Sequence, residues 1–466
     1  MGFVLNQMRI SGRDALPLIE GGKGIAVSNG ESSGAWAATG GAGTFSGVNA
    51  DSRDDNGDLV YQDYLGKTRR DRHDELIAHA VRGAIYQART AYEIANGAGP
   101  IHMNVLWEMG GAERVLHGTL QGARGLINGV TCGAGMPYKV AEIAASYGVY
   151  YYPIVSSARA FRALWKRAYH KYPEWLGGVV YEDPWRAGGH NGLSNSEDPE
   201  KPEDPKPRVR DLRKIMNEVG LHDVPVVMAG GVWRLDEWAD WIDDPELAPV
   251  AFQFGTRPLL TEESPISDAW KRRLLTLKEG DVFLNRYSPT GFYSSAVRND
   301  FIEELRQRND RQIAFSSEPV GEHDTPFAMG PRGRKVYVTS EDLQRAEGWL
   351  AEGYIEAMRT PDSTLIFVTM ESRNQILTHQ IECMGCLSAC RFSNWSEAEA
   401  GMTGRKPDPR SYCIQKTLQN IAHGSEPDTQ LMFAGHNAYR FASDPYYANG
   451  FIPKVKDLVE RLATGA

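Results

Sequence analysis

The sequence predicts an α/β fold: a (β/α)8 TIM barrel with an appended, partly helical C-terminal region. Three observations predict it. Between about residues 15 and 262, short apolar runs alternate with amphipathic helical patterns, which implies βαβ units and a parallel sheet. The number of such runs approaches eight. Glycine or a polar residue recurs at their C-terminal ends, where a barrel builds its ligand site. An open doubly wound sheet is the alternative that the same alternation allows.

In chain order the runs are GKGIAVS, IHMNVLW, ARGLINGVTCG, VYYYPIVSS, LGGVVYED, VPVVMAGG and PVAFQFGT. The stretches HDELIAHAVRGAIYQARTAYEIA, PYKVAEIAASYG and SARAFRALWKRAYHKY between them carry helical spacing. Residues 193–210, LSNSEDPEKPEDPKPRVR, form an irregular insert whose Pro, Glu, Asp and Lys content cannot pack into a core. Its place after His190 suggests a lid; a solvated surface loop is the plainer alternative. Beyond about residue 300 the βα rhythm fades. SEDLQRAEGWLAEGYIEAM predicts a helix with Ser340 as N-cap and Asp342 in its first turn, STLIFVTM a strand, and FIPKVKDLVERLATG a final helix. The expected division is a barrel over 1–305 and an extension over 306–466.

Hydrophobic residues at 41% against 24% charged leave ample material for a core in a chain of 466 residues. A formal charge of −9 without any basic block argues against nucleic acid and anionic membrane as partners. No run could span a bilayer, and MGFVLNQMRISGRDALPL lacks an apolar signal segment, so a cytoplasmic protein is expected. A homo-oligomer is compatible with this composition.

The heptapeptide RAGGHNG, residues 186–192, sets Gly188, Gly189 and Gly192 around His190. Glycines so placed invite a close approach to the backbone, and an imidazole of pKa near 6.5 suits proton transfer. A structural histidine capping a loop is the competing reading. Gly230 and Gly231 end one strand, while Gly255 and Thr256 end the next. Backbone N–H groups with a hydroxyl beside them make an anion site, and the loops after the last two strands are where barrels bind phosphate. A phosphate-bearing ligand is expected.

Cys383, Cys386, Cys390 and Cys413 give the spacing C-x2-C-x3-C-x22-C. Four thiolates without paired histidines fit a [4Fe–4S] cluster or structural zinc; a set of buried free thiols is the alternative. Cys132 stands alone and reads as a small residue at a strand end.

AGGHNG, VPVVMAGG, FQFGTRPLLTEES, SPTGFYSSAVRNDFIEEL and PLIEGGKGIAVSNGESSGAWAATGGAGTFSG resemble the nitronate monooxygenase family of FMN-dependent barrels, also labelled 2-nitropropane dioxygenase. GVTCGAGMPYKV is similar to a loop of the related FMN-dependent enoyl-acyl carrier protein reductases. The resemblance covers about residues 15–305 and implies FMN as cofactor. By that resemblance Gly230, Gly231, Gly255 and Thr256 hold the FMN phosphate, and Gly22, Asn104 and Gly133 lie near the ring. Gly188 and Gly189 let the backbone lie against the flavin, and His190 is the catalytic residue. The expected activity is oxidation of alkyl nitronates with O2, His190 acting as base or holding the anion. The alternative is an NAD(P)H-dependent flavin oxidoreductase or ene-reductase acting on an activated alkene or quinone. If an iron–sulfur cluster is present, electrons would then pass through it; the cysteine pattern is similar to that of FMN-containing dienoyl-CoA reductases. The chain departs from the family pattern in three places: Lys23 replaces an apolar residue, YYYPIVSSARAF lacks a lysine that some members carry, and the tail is longer.

Overall fold

The computed structural model describes residues 5–329, 333–399 and 404–465. Residues 1–4 of the expected barrel domain and residue 466 of the extension lie outside the described residues. Eight strands form one parallel sheet: β1 (Leu18–Glu20), β2 (Gly43–Ser46), β3 (Ile101–Leu106), β4 (Gly129–Gly133), β5 (Tyr150–Val155), β6 (Val179–Glu182), β7 (Val226–Ala229) and β8 (Val250–Phe254). They are hydrogen-bonded in the order β1-β8-β7-β6-β5-β4-β3-β2. The ring closes where Glu20 N–H donates to the Ala42 carbonyl at 2.8 Å and Ala42 N–H to Leu18 at 2.9 Å. Closure removes the open-sheet alternative.

Every residue of β7 and β8 is buried, as expected of strands covered on both faces. Ile19, Tyr152, Val180, Val227 and Ala251 fill the barrel interior. A small hairpin, Met8–Ile10 with Arg13–Ala15, plugs its lower end. There Ser11 Oγ lies 2.8 Å from both His102 Nε2 and Tyr152 OH.

Several sequence expectations require correction. GKGIAVS is not the first strand. Ala26 in it adopts φ +58°, a left-handed conformation that no strand contains, and the true β1 precedes it. β2, the four residues GTFS, carries too little apolar signal to be counted. The irregular insert stops at residue 204. Asp204 caps a helix, Pro205–Glu218, with proline at its first turn and Val209, Leu212, Ile215 and Met216 on its buried face. In the tail, Thr339 rather than Ser340 is the N-cap, accepting from Asp342 N–H at 3.1 Å. The stretch EAM belongs to a strand, Glu356–Arg359, not to that helix.

Residue 305 falls inside a helix, Asp300–Asp310. The remainder of the chain has two parts. Strands Gln312–Ala314, Thr364–Val368 and Glu356–Arg359 form a small antiparallel sheet with its own core of Ile313, Val336, Leu365 and Phe367. The chain then returns to the barrel. The last helix, Val455–Ala463, buries Val455, Leu458, Val459 and Leu462 in the main core. Among the described residues no helix is long and apolar enough to cross a membrane.

Candidate active site

A large cavity opens at the C-terminal ends of the strands. It is lined by Gly22, Asn104, Gly133, Gly188, Gly189, His190, Gly230, Gly231, Gly255 and Thr256. Residues expected from separate stretches of sequence therefore meet at one site.

At one side, Gly230 and Gly231 take φ +87° and +81°, a region that side chains with a Cβ rarely adopt. Gly255 differs: a Cβ there would meet nothing within 4 Å. Its backbone is bare toward the cavity, as a phosphate cradle requires. The expected helix LDEWADWI is instead two short turns, Leu235–Trp238 and Ala239–Ile242, so loop N–H groups rather than a long helix terminus are the available donors. Arg257 follows Thr256 directly and is buried. Its guanidinium donates to the Trp233 carbonyl at 2.7 Å and to Tyr447 OH at 3.0 Å, which brings positive charge close to these turns.

The loop after β6 is folded by Asp183, whose Oδ1 accepts the N–H groups of Trp185 at 2.9 Å and Arg186 at 3.0 Å. Gly189 and His190 then pair antiparallel with Ser295 and Ser294. That pairing gives SPTGFYSSAV its role, because it sets Ser288 Oγ 2.6 Å from His190 Nε2. Ser288 Oγ is in turn 2.9 Å from Thr290 Oγ1. Phe433 meets the imidazole edge-on, with ring centroids 5.4 Å apart. Burial pushes the His190 pKa down to about 4, so the ring is neutral at physiological pH. With Nε2 held by Ser288, Nδ1 is the ring nitrogen free for a ligand.

Gly188 also has a close neighbour in the tail: a Cβ on it would lie 2.6 Å from the Ala434 carbonyl carbon and the Gly435 nitrogen. Lys23, which departs from the family pattern, lines the cavity but is neutralised within it. Its Nζ donates to Glu20 Oε1 at 3.2 Å and to the Gly21 carbonyl at 2.8 Å. Burial lowers its pKa against the pull of Glu20.

Sequence reasoning missed the tail's share of the site. Phe433, Ala434, Gly435 and Asn437 line the cavity, as do Ile414, Gln415 and Leu418. Gly435 N–H donates to Thr256 Oγ1 at 3.1 Å, and Asn437 Nδ2 donates to the Gly231 carbonyl at 2.6 Å. The one available signal was AGHN, residues 434–437, which repeats the composition of the segment around His190. Glu182, the last residue of β6, also faces the cavity and was not singled out.

Cys383, Cys386, Cys390 and Cys413 line one small cavity, which shares Cys386, Ile414 and Gln415 with the large one. The metal expectation is nevertheless not met. Among the described residues, no group of three or more His, Cys, Asp or Glu side chains is placed to hold a metal ion. All five cysteines are free thiols. Burial, together with neighbouring sulfurs, pushes the Cys390 pKa up to about 11; burial first pushes Cys413 up to about 12, so both stay protonated. Cys383 Sγ is 3.1 Å from Ser393 Oγ and accepts Gly385 N–H at 3.4 Å. Cys132 is buried away from the cavity, and burial holds its thiol protonated.

Two solved structures share this architecture. One is nitroalkane oxidase from Streptomyces ansochromogenes, 15% identical over 97% of this chain and 95% of that chain, with a TM-score of 0.52. The other is the enoyl reductase domain of MlnA from the macrolactin biosynthesis cluster of Bacillus amyloliquefaciens, 12% identical over 97% and 93%, with a TM-score of 0.54. At these identities the likeness is one of fold. No curated protein sequence matches. The family model for nitronate monooxygenase matches residues 125–464, more than half of the chain and far beyond residue 305. The match thus runs through the tail as well, and the chain belongs to the nitronate monooxygenase family of flavin-dependent oxidoreductases.

Proposed function

We propose that the chain binds FMN in the strand-tip cavity and oxidises alkyl nitronates with O2. The observation that carries this reading is the meeting of His190 with the glycine turns of β7 and β8 around one cavity. The cavity suits the cofactor on two further counts. Gly255 leaves a bare stretch of backbone where a phosphate could sit. Asn104 and Gln253, near the ends of β3 and β8, line the same cavity and offer amide groups to a polar ring edge. FMN, when bound, supplies the redox step between substrate and oxygen.

The protein's own residues bind and orient the substrate. A neutral imidazole with Nε2 fixed by Ser288 presents Nδ1 to the cavity. When Ser288 O–H donates to Nε2, Nδ1–H donates to an oxygen of the nitronate. The ring then holds the anion in place. Ile154, Ala134 and Phe433 supply apolar walls that accommodate an alkyl group and limit water.

The purified protein is expected to be yellow, with an absorbance maximum near ~450 nm from oxidised flavin. Mixed anaerobically, an alkyl nitronate should bleach that band, whereas NADPH alone should not. Rapid bleaching by NADPH would transfer the assignment to the ene-reductase reading. A colourless protein that takes up no FMN on reconstitution would end both.

A further inference from the structure

We propose that the Trp270 indole N–H is a further donor to the phosphate of the bound cofactor, set at the aromatic end of the strand-tip cavity. This rests on the FMN reading and adds a side-chain donor to the glycine turns of β7 and β8.

Trp270 stands in the first turn of the helix Asp268–Leu274, where Ser267 Oγ accepts its backbone N–H at 3.2 Å. The residue is 3% exposed and packs with Val27, Trp233, Leu259, Ile421 and Ala434, all of which line the cavity as Trp270 itself does. Four of these side chains are apolar and the fifth, Trp233, carries a donor only, so none of them offers the indole an acceptor. Trp270 Nε1 is buried without a hydrogen-bond partner. Among the described residues that line the cavity, no other side chain keeps a fully buried polar atom unpartnered. Trp233 makes the contrast: it lines the same cavity, and its Nε1–H donates to Asp444 Oδ2 at 2.9 Å. A buried N–H left unpaired weakens a fold, and native structures keep few of them. One beside a cavity is accounted for by an acceptor that arrives with the ligand.

The neighbours of Trp270 set it at the phosphate end. Leu259 lies on the turn Arg257–Leu260, and its N–H donates to the Thr256 carbonyl at 3.0 Å. Ala434 precedes Gly435, whose N–H donates to Thr256 Oγ1 at 3.1 Å. Trp233 follows Gly231 by two residues. Three residues packed in one cluster with Trp270 thus belong to the turns after β7 and β8 or are tied to them. An indole N–H donates and never accepts, which suits it to phosphate oxygens. A hydrogen bond to such a charged oxygen is about twice as strong as one between neutral groups.

Trp270→Phe removes the N–H and keeps an aromatic ring in place. With flavin fluorescence followed during titration of the stripped proteins, FMN affinity should fall about 10–100-fold, the scale of one hydrogen bond to a charged group. Riboflavin has the same ring and ribityl chain without the phosphate, and it should bind wild type and variant alike. In wild-type protein isotope-labelled at its indole nitrogens, the Nε1–H resonance that the variant lacks should move when FMN or inorganic phosphate is added. With riboflavin it should stay near its free position. Trp270→Tyr gives the same assignment if the phenylalanine variant does not fold. Equal losses for FMN and riboflavin would make Trp270 a packing residue and overturn the proposal. So would unchanged FMN affinity in the variant, or an indole resonance that FMN leaves in place. A wild-type chain that takes up no FMN overturns the flavin reading itself. Inorganic phosphate then decides the indole's role, and a resonance it fails to move overturns that as well.

Discussion

His190→Ala is expected to retain FMN while lowering turnover of a nitronate by about 10²-fold or more, the scale at which a positioned proton-handling or anion-holding group acts. The cofactor should remain because the turns proposed to hold its phosphate end β7 and β8, whereas His190 sits on the loop after β6, tied to Ser294 and Ser288. Ser288→Ala leaves the imidazole in place but frees its Nε2, so a smaller loss, about tenfold, is expected. A histidine held near 4 does not titrate between pH 5 and 9, so no ionisation of His190 should mark the rate profile there. Its depressed pKa acts on stability instead. The unfolded imidazole takes up a proton below about 6.5, the folded one only near 4, so the contribution to stability is lost as pH falls across that window. Glu182 acts in the opposite sense: raised from 4.5 to about 8, it weakens the fold as pH climbs between those values. Unchanged nitronate turnover in His190→Ala, with full FMN, would remove the ring from the mechanism.

Much of the cavity was legible in the sequence because its residues obey local rules. Gly230 and Gly231 need a left-handed backbone, Gly255 ends an apolar run, and His190 sits among closely spaced glycines. Such signals lie within a few residues of one another and survive without knowledge of the rest of the chain. The first two strands were not legible. β1 is three residues long, and the more apolar GKGIAVS beside it turns Ile25 and Val27 into the cavity wall rather than into a sheet. The tail's part was hidden for another reason. Gly435 meets Thr256 across 179 positions, and Asn437 meets Gly231 across 206, so nothing local marks them. The cysteine spacing was legible as a grouping: it brings four thiols to one cavity, although among the described residues no group of three or more ligating side chains is placed to hold a metal ion. Glu182 was passed over because one carboxylate at a strand end has no motif.

The phosphate cradle gives the second large effect, and the structure selects the residue that tests it. Gly231→Glu would combine charge with two faults of geometry, a φ of +81° and a Cβ 2.8 Å from Arg186 Cδ, so its failure would have several causes. Gly255→Glu has neither fault, because a Cβ at Gly255 meets nothing within 4 Å. The new carboxylate would stand where the phosphate is expected. Two like charges about 4 Å apart at an effective dielectric constant near 20 repel by about 4 kcal/mol. That corresponds to about a 10³-fold loss of FMN affinity. Gly255→Gln carries the same bulk without the charge, and Gly255→Ala adds only a methyl group. The expected order of FMN affinity, followed by flavin fluorescence during titration of the stripped protein, is wild type, Ala, Gln, then Glu far below. Equal losses for Gln and Glu would mean that crowding alone acts there, and that the anion sits elsewhere in the cavity. Full affinity in all three would move FMN away from β8 altogether, and with it the argument that ties His190 to the flavin.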